Sequence, residues 1–327
     1  MGSAMTDPFP LPHPRRALLF PGQGSQFVGM AVDLVEAHAV ARSRFDAASS
    51  CLGQDLFAIC SEGPPARLNS TDISQPAIFT ASMAVLAVLE QSGGSHLLQS
   101  CATAGLSLGE YSALVFAGAM SFEDALEVVV ARGSAMQQAC EAVEGTMTSI
   151  LGLDLAAVKE ALSEGQRLGV VAIANVNTET QIVISGERAA VEKAAQVAME
   201  LGARRTVELE VAGAFHSPLM ADATAKLEPL LEQVQIRVPE VPFYPNVLAQ
   251  QISDPVQIRE CLLKQVESSV LWAPTIAALV AAGLDEVIEP GPGRVIAGLL
   301  KQIDRRIPTR SILGQDSVEE ILEGNAS

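Results

Sequence analysis

The sequence predicts an α/β protein in two parts, a large domain built on a parallel sheet and a smaller ferredoxin-like unit inserted into it. Three observations carry this. Short apolar runs near residues 17–20, 101–104 and 286–289 alternate with longer helical patterns, the order that builds a parallel sheet covered by helices. Between residues 146 and 211 the order changes to β-α-β-β-α-β, the ferredoxin-like arrangement. Alternating patterning then resumes, so the compact unit interrupts the larger one. On this reading residues 15–133 and 208–315 form the large domain and residues 134–207 the small one. Residues 1–14 read as a vector-derived scar and a disordered tail, and residues 316–327 as a C-terminal tail.

Ala17-Leu18-Leu19-Phe20 is an unbroken apolar run, as a strand buried on both faces requires, and Pro21-Gly22-Gln23-Gly24-Ser25-Gln26 ends it. Apolar residues at helical spacing place helices at residues 28–38, 76–90, 109–117 and 122–140, with a strand at 101–104. The inserted unit reads as strand 146–151, helix 154–163, strands 170–174 and 181–185, helix 188–201 and strand 205–211. Helices after Pro218 and near 258–265 and 274–282 follow, then a strand at 286–289, the Gly291-Pro292-Gly293 turn and a helix from Arg294. Neither Gly22-x-Gly24 nor Gly291-x-Gly293 continues as a dinucleotide loop, because Phe27 and Ile296 fill the third glycine position.

The chain has 327 residues, 49% of them hydrophobic, ample for a sizeable core. Lys and Arg total 21 against 38 Asp and Glu, a net charge of -17 that argues against nucleic acid and anionic membranes as partners. No apolar stretch is expected to approach the ~20 residues of a membrane span. Five widely spaced cysteines, Cys51, Cys60, Cys101, Cys140 and Cys261, suit free thiols in a reducing compartment, so a cytoplasmic protein is expected. With no Cys-x-x-Cys and no His-Glu-x-x-His, no metal is expected.

The chemistry is announced by Gly105-Leu106-Ser107-Leu108-Gly109, which follows the strand at 101–104 and opens a helix. Strand, Gly-x-Ser-x-Gly and helix together make a nucleophile elbow, a strained turn that lifts a serine hydroxyl clear of the sheet. This makes the large domain α/β-hydrolase-like and Ser107 the candidate nucleophile. Serine needs an adjacent base. Of the four histidines, His13 lies in the Pro-rich tail, His38 ends a polar helix, His96 follows Gly93-Gly94, and only His216 stands where a strand gives way to a loop. A triad acid between serine and histidine stays open, with Asp124 and Asp154 as candidates.

The motifs Pro21-Gly22-Gln23-Gly24-Ser25-Gln26, Gly105-Leu106-Ser107-Leu108-Gly109-Glu110, Arg132-Gly133, Asn175-Val176-Asn177, Gly213-Ala214-Phe215-His216-Ser217-Pro218 and Gly291-Pro292-Gly293 stand in one order along the chain. Together they resemble the malonyl-CoA:acyl carrier protein transacylases of type II fatty acid synthesis and the related acyltransferases of polyketide synthases. The resemblance implies a ping-pong transfer of malonyl from malonyl-CoA, as substrate rather than cofactor, through Ser107 to acyl carrier protein. His216 would be the base, the N–H groups of Gln23 and Leu108 the oxyanion hole, and Arg132 the clamp on the malonyl carboxylate. The Gln265 carbonyl would orient the base, and Asn175, Asn177, Met136 and Phe215 would contact substrate. Phe215 would narrow the space beside the acyl α-carbon against branched units.

No cofactor and a monomeric state are implied too. The family usually has histidine before the nucleophile. Leu106 stands there instead, a variant associated with plastid-type members, so the plastid stroma is the alternative location. The rival readings are an esterase or thioesterase, and a non-catalytic carrier-binding module. An acidic carrier meeting an acidic chain would need a local basic patch, and Lys193, Arg204 and Arg205, or Arg294, Lys301, Arg305 and Arg306, are the candidates.

Overall fold

Ala17, Leu18, Leu19 and Phe20 are wholly buried in the computed structural model, which describes residues 15–323. They lie in β1 (Arg16–Phe20), a strand covered on both faces. The helices α1 (Val32–Ala37), α2 (Ala39–Leu52), α3 (Leu56–Glu62) and α4 (Pro65–Asn69) follow, then the long α5 (Thr71–Gln91). Next come β2 (Ala102–Gly105), α6 (Gly109–Phe116) and α7 (Phe122–Ala142). The inserted unit comprises β3 (Gly145–Leu151), α8 (Leu155–Gly165), β4 (Val171–Thr178), β5 (Gln181–Glu187), α9 (Arg188–Glu200) and β6 (Arg205–Glu208). The chain then returns through α10 (Ala221–Gln233), α11 (Pro255–Gln265), α12 (Trp272–Ala281), β7 (Glu286–Pro290), α13 (Val295–Ile303), β8 (Thr309–Ile312) and α14 (Gln315–Glu323).

Two separate sheets result. The large one is parallel, in the order β2-β1-β7-β8. The small one is antiparallel, in the order β4-β5-β3-β6, as a ferredoxin-like unit requires. Ile150, Val158, Ile182, Ile184 and Val191 fill its own core. The small sheet is tied to the large domain at its edge strand β4, where Val176 N–H donates to Val270 O at 2.9 Å and Val270 N–H to Ala174 O at 2.8 Å, Val270 lying between α11 and α12.

Several expectations are corrected. The helix expected at 28–38 starts only at Val32, because Gly29 (φ 96°) and Ala31 (φ 62°) are left-handed. It stops at His38, whose extended backbone separates α1 from α2. α5 begins at Thr71 rather than at Pro76, and the proline is carried inside the helix. By length and composition α5 could cross a membrane, contrary to the reading that no apolar stretch is that long. Its interspersed Ser, Thr and Gln hide the run, yet it is almost wholly buried between α7 and α2. At the C-terminus, residues read as a tail form α14, which buries Val318 and Ile321 and follows an edge strand, β8, that the sequence did not signal. The scar and tail expected over residues 1–14, with His13, and residues 324–327 lie outside the described residues.

Candidate active site

The site is made by glycines before it is made by acids and bases. A Cβ on Gly105 would sit 1.8 Å from the Gly109 carbonyl carbon, and one on Gly109 would sit 2.3 Å from the Phe20 oxygen. Only glycine at both positions lets the turn close against itself and against β1. Ser107 between them is left-handed, φ 53°, the backbone strain that an elbow stores. A Cβ on Gly22 would lie 2.1 Å from Leu106 O, so the Gln23 loop is pressed onto the same turn.

His216 arrives from the loop after β6, itself left-handed at φ 56°, and its Nε2 stands 2.8 Å from Ser107 Oγ. Its Nδ1 faces the Gln265 carbonyl at 2.8 Å. A carbonyl only accepts, so Nδ1 carries the hydrogen, leaving Nε2 bare to receive the serine proton. A carbonyl thus stands where a triad acid would. Asp154 instead caps α8 through the Ala157 N–H, and Asp124 sits in the first turn of α7 capped by Ser121. His38 pairs with Gln315, and His96 lies in a short 3-10 turn at Gly94–His96.

Burial first, and then the charge of Arg132, push the His216 imidazole down to about 4, against the raising effect of its contacts to Gln265 and Ser268. The ring is therefore neutral throughout the physiological range. We expect the acid limb of kcat/KM to fall near pH 4, and the rate at pH 5.5 to stay within about two-fold of that at pH 7. A limb near the free-histidine value of about 6.5 would contradict this. Because the folded pKa lies below the unfolded one, the unfolded state takes up the proton first, and stability from this group is lost as pH falls from 6.5 towards 4. Folding should be checked by circular dichroism at each pH.

Arg132, on α7, is only 1% exposed. Its Nη2 donates to Ser107 Oγ at 3.0 Å and to Gln265 Oε1 at 2.7 Å, and Nη1 donates to Gln75 Oε1 at 2.6 Å. Its Nε is buried without a partner, and among the described residues it forms no ion pair. A buried cation left without an anion is costly, and this one is aimed at the nucleophile.

A cleft of about 470 Å³ opens over Ser107 between the two sheets. Gln23, Met136, Asn175, Asn177, Phe215 and His216 line it with Ser107, and Asn177 Oδ1 is buried there without a partner. Leu108, Arg132 and Gln265 are buried in the surrounding wall. Leu106 packs in an apolar cluster with Tyr244 and Trp272, and its side chain has no hydrogen-bonding group. Among the described residues no group of three or more His, Cys, Asp or Glu stands together to hold a metal ion.

Three polar residues escaped the sequence reading. Asn246 accepts the Ser107 N–H on Oδ1 at 2.7 Å and donates Nδ2 to Gly105 O at 2.7 Å. Glu110 accepts from the Asn246 N–H and from Gln265 Nε2. Gln75 holds Arg132 from the far side. Glu110 and Gln75 are acid and amide inside otherwise apolar helices, a signal that was available; Asn246 sits in a loop that gave none.

An elbow serine within hydrogen-bond reach of a histidine, in a cleft between a parallel sheet and a ferredoxin-like unit, fits an acyltransferase. Comparison agrees, since the acyl transferase domain family matches residues 17–315. The malonyl CoA-acyl carrier protein transacylase of Bacillus subtilis is 42% identical over 304 residues, 93% of this chain and 95% of that protein. The Escherichia coli transacylase is 39% identical, covering 88% and 92%. An acyl carrier protein S-malonyltransferase structure from Vibrio cholerae superposes with a TM-score of 0.89 at 39% identity, covering 94% and 99%. A malonyl-transacylase in complex with a type II PKS acyl-carrier protein superposes with a TM-score of 0.89 at 37% identity, covering 95% and 99%. The chain belongs to the malonyl CoA-acyl carrier protein transacylase family.

Proposed function

We propose that this enzyme moves malonyl from malonyl-CoA to the phosphopantetheine thiol of acyl carrier protein in two half-reactions. The observation that carries the reading is the placement of one hydroxyl, Ser107 Oγ, between a bare imidazole nitrogen and a buried guanidinium that no carboxylate touches. In the first half, His216 Nε2 takes the proton as Oγ attacks the thioester carbonyl. The negative charge on the tetrahedral oxygen falls to the N–H groups of Gln23 and Leu108. Collapse expels the CoA thiolate, which leaves with the proton from His216, and malonyl remains as an ester on Ser107. In the second half His216 deprotonates the carrier thiol, which attacks the ester and releases Ser107 with its proton restored.

Arg132 receives the malonyl carboxylate as a charge-assisted, forked contact that lysine does not reproduce. Asn177 Oδ1 offers an acceptor to an N–H of the substrate. The thiol nucleophile is favoured over water by a cleft that buries the ester. Docking of an acidic carrier falls to cations not already paired. Arg306 is forked onto Asp304, whereas Arg204 and Arg205 form no ion pair among the described residues.

Intact-mass analysis after incubation with malonyl-CoA tests the reading directly. A malonyl adduct should form, map to the peptide containing Ser107, persist in buffer and disappear on adding carrier protein. No adduct would leave a binding module, and rapid hydrolysis would leave a thioesterase.

A further inference from the structure

Glu110 has no solvent exposure and takes no part in the mechanism above. It stands on the first turn of α6, three residues after the nucleophile. Each carboxylate oxygen accepts one N–H, Oε1 from the Asn246 backbone and Oε2 from the Gln265 side chain. The second hydrogen of Gln265 Nε2 goes to Ser107 O at 2.9 Å, and Gln265 Oε1 accepts Arg132 Nη2 at 2.7 Å. The same Nη2 then reaches Ser107 Oγ at 3.0 Å.

We propose that Glu110 is a positioning residue for malonyl transfer: by accepting from Gln265 it fixes which way that amide faces, and through it aims Arg132 at the acyl group on Ser107. The inference rests on the reading of Arg132 as the partner of the malonyl carboxylate. A primary amide is an acceptor at one end and a donor at the other. Turned around, Gln265 would set Nε2 against the guanidinium, donor against donor, and Oε1 against the Glu110 carboxylate, acceptor against acceptor. Glu110, with the Ser107 carbonyl, therefore selects the orientation in which Arg132 is held.

A glutamine at this position keeps the shape and loses the selection, because it has one acceptor where the carboxylate has two. The Asn246 N–H is fixed in the backbone, so the amide oxygen serves it and the amide nitrogen faces Gln265. Gln265 then either keeps its nitrogen against that amide nitrogen, donor against donor, or turns and sets its nitrogen against Arg132, so its hold on Arg132 is loosened either way. Burial pushes the Glu110 carboxyl up, and the Asn246 and Gln265 N–H groups and the charge of Arg132 oppose it by favouring the ionised form, in which both oxygens accept. Such a group is expensive to keep inside an apolar helix, which argues that it has a task there.

The test is Glu110→Gln beside Arg132→Ala, with malonyl and acetyl transfer measured from the corresponding CoA thioesters and melting temperature as the check of folding. Loss of a charged hydrogen bond scales to about 10- to 100-fold. Malonyl kcat/KM in Glu110→Gln should fall by that amount, and acetyl transfer by less than about three-fold. A purely structural role would lower both alike, and equal losses or no loss in Glu110→Gln, with a selective loss in Arg132→Ala, would overturn the inference alone. Equal losses in Arg132→Ala would remove the reading of Arg132 and this inference with it. If Glu110→Gln does not fold, Glu110→Asp carries the test, since it keeps the charge and draws the carboxylate back from the Gln265 amide by one methylene. The same selective loss is expected there, and equal losses or none would count against the proposal.

Discussion

Ser107→Ala and His216→Ala each lower malonyl transfer by on the order of 10⁴-fold or more, and the double variant is little worse than either single one. Oγ and Nε2 are 2.8 Å apart, and in the proposed mechanism they act on one proton, so removing either abolishes the same step. The effect can be read as chemistry because the turn does not depend on the hydroxyl. Asn246 holds the Ser107 N–H and Gln265 the Ser107 carbonyl, so alanine inherits the left-handed backbone. His216→Ala leaves a void and frees the Gln265 carbonyl, and its melting temperature should drop more than that of Ser107→Ala. Initial rates with carrier protein and mapping of the acyl adduct check both. An adduct that survives in Ser107→Ala would place the nucleophile elsewhere.

What was legible in the sequence is what local chemistry forces. Gly105 and Gly109 are required within one turn of Ser107, so the elbow announced itself as a spacing, and the buried strand β1 announced itself as an unbroken apolar run. Arg132 was visible only as a position in a family pattern, since an arginine in an apolar helix has nothing in its own neighbourhood to say that it faces Ser107. Gln265 was expected for its carbonyl alone, and the role of its amide emerges only where Arg132, Glu110 and Ser107 converge on it. Glu110 and Asn246 pair across 136 residues of chain, a separation at which no periodicity carries information. The missed elements follow the same logic. β8 reads Thr-Arg-Ser-Ile and becomes a strand because β7 offers it an edge, and α14 is a short polar helix whose two buried residues need the rest of the fold to cover them.

Arg132→Ala should nearly abolish malonyl transfer while leaving acetyl transfer unchanged or improved. A charge-assisted, bidentate contact is worth roughly 1.5 to 3 kcal/mol, or about 10- to 150-fold, and leaving the malonyl carboxylate in a buried cleft without its partner costs more. An acetyl group brings no carboxylate, so it forfeits nothing, and loss of a guanidinium that competes for Ser107 Oγ removes an obstacle to its acylation. The geometry favours this outcome over a structural role. A structural arginine satisfies all its donors and finds an anion, whereas here Nε has no acceptor and Nη1 and Nη2 rest on neutral oxygens of Gln75, Gln265 and Ser107. Those oxygens hold the fork in place with no carboxylate in direct contact, the nearest charge, Glu110, acting across the Gln265 amide, which leaves the fork's donors for an incoming anion. Arg132→Lys should recover little, because an ammonium cannot span Gln75, Gln265 and a carboxylate at once. The measurement is the ratio of malonyl to acetyl kcat/KM in each variant, with the melting temperature alongside. A ratio that stays at the wild-type value while both rates fall would make Arg132 a support of the elbow and move the selection of malonyl to other residues of the cleft.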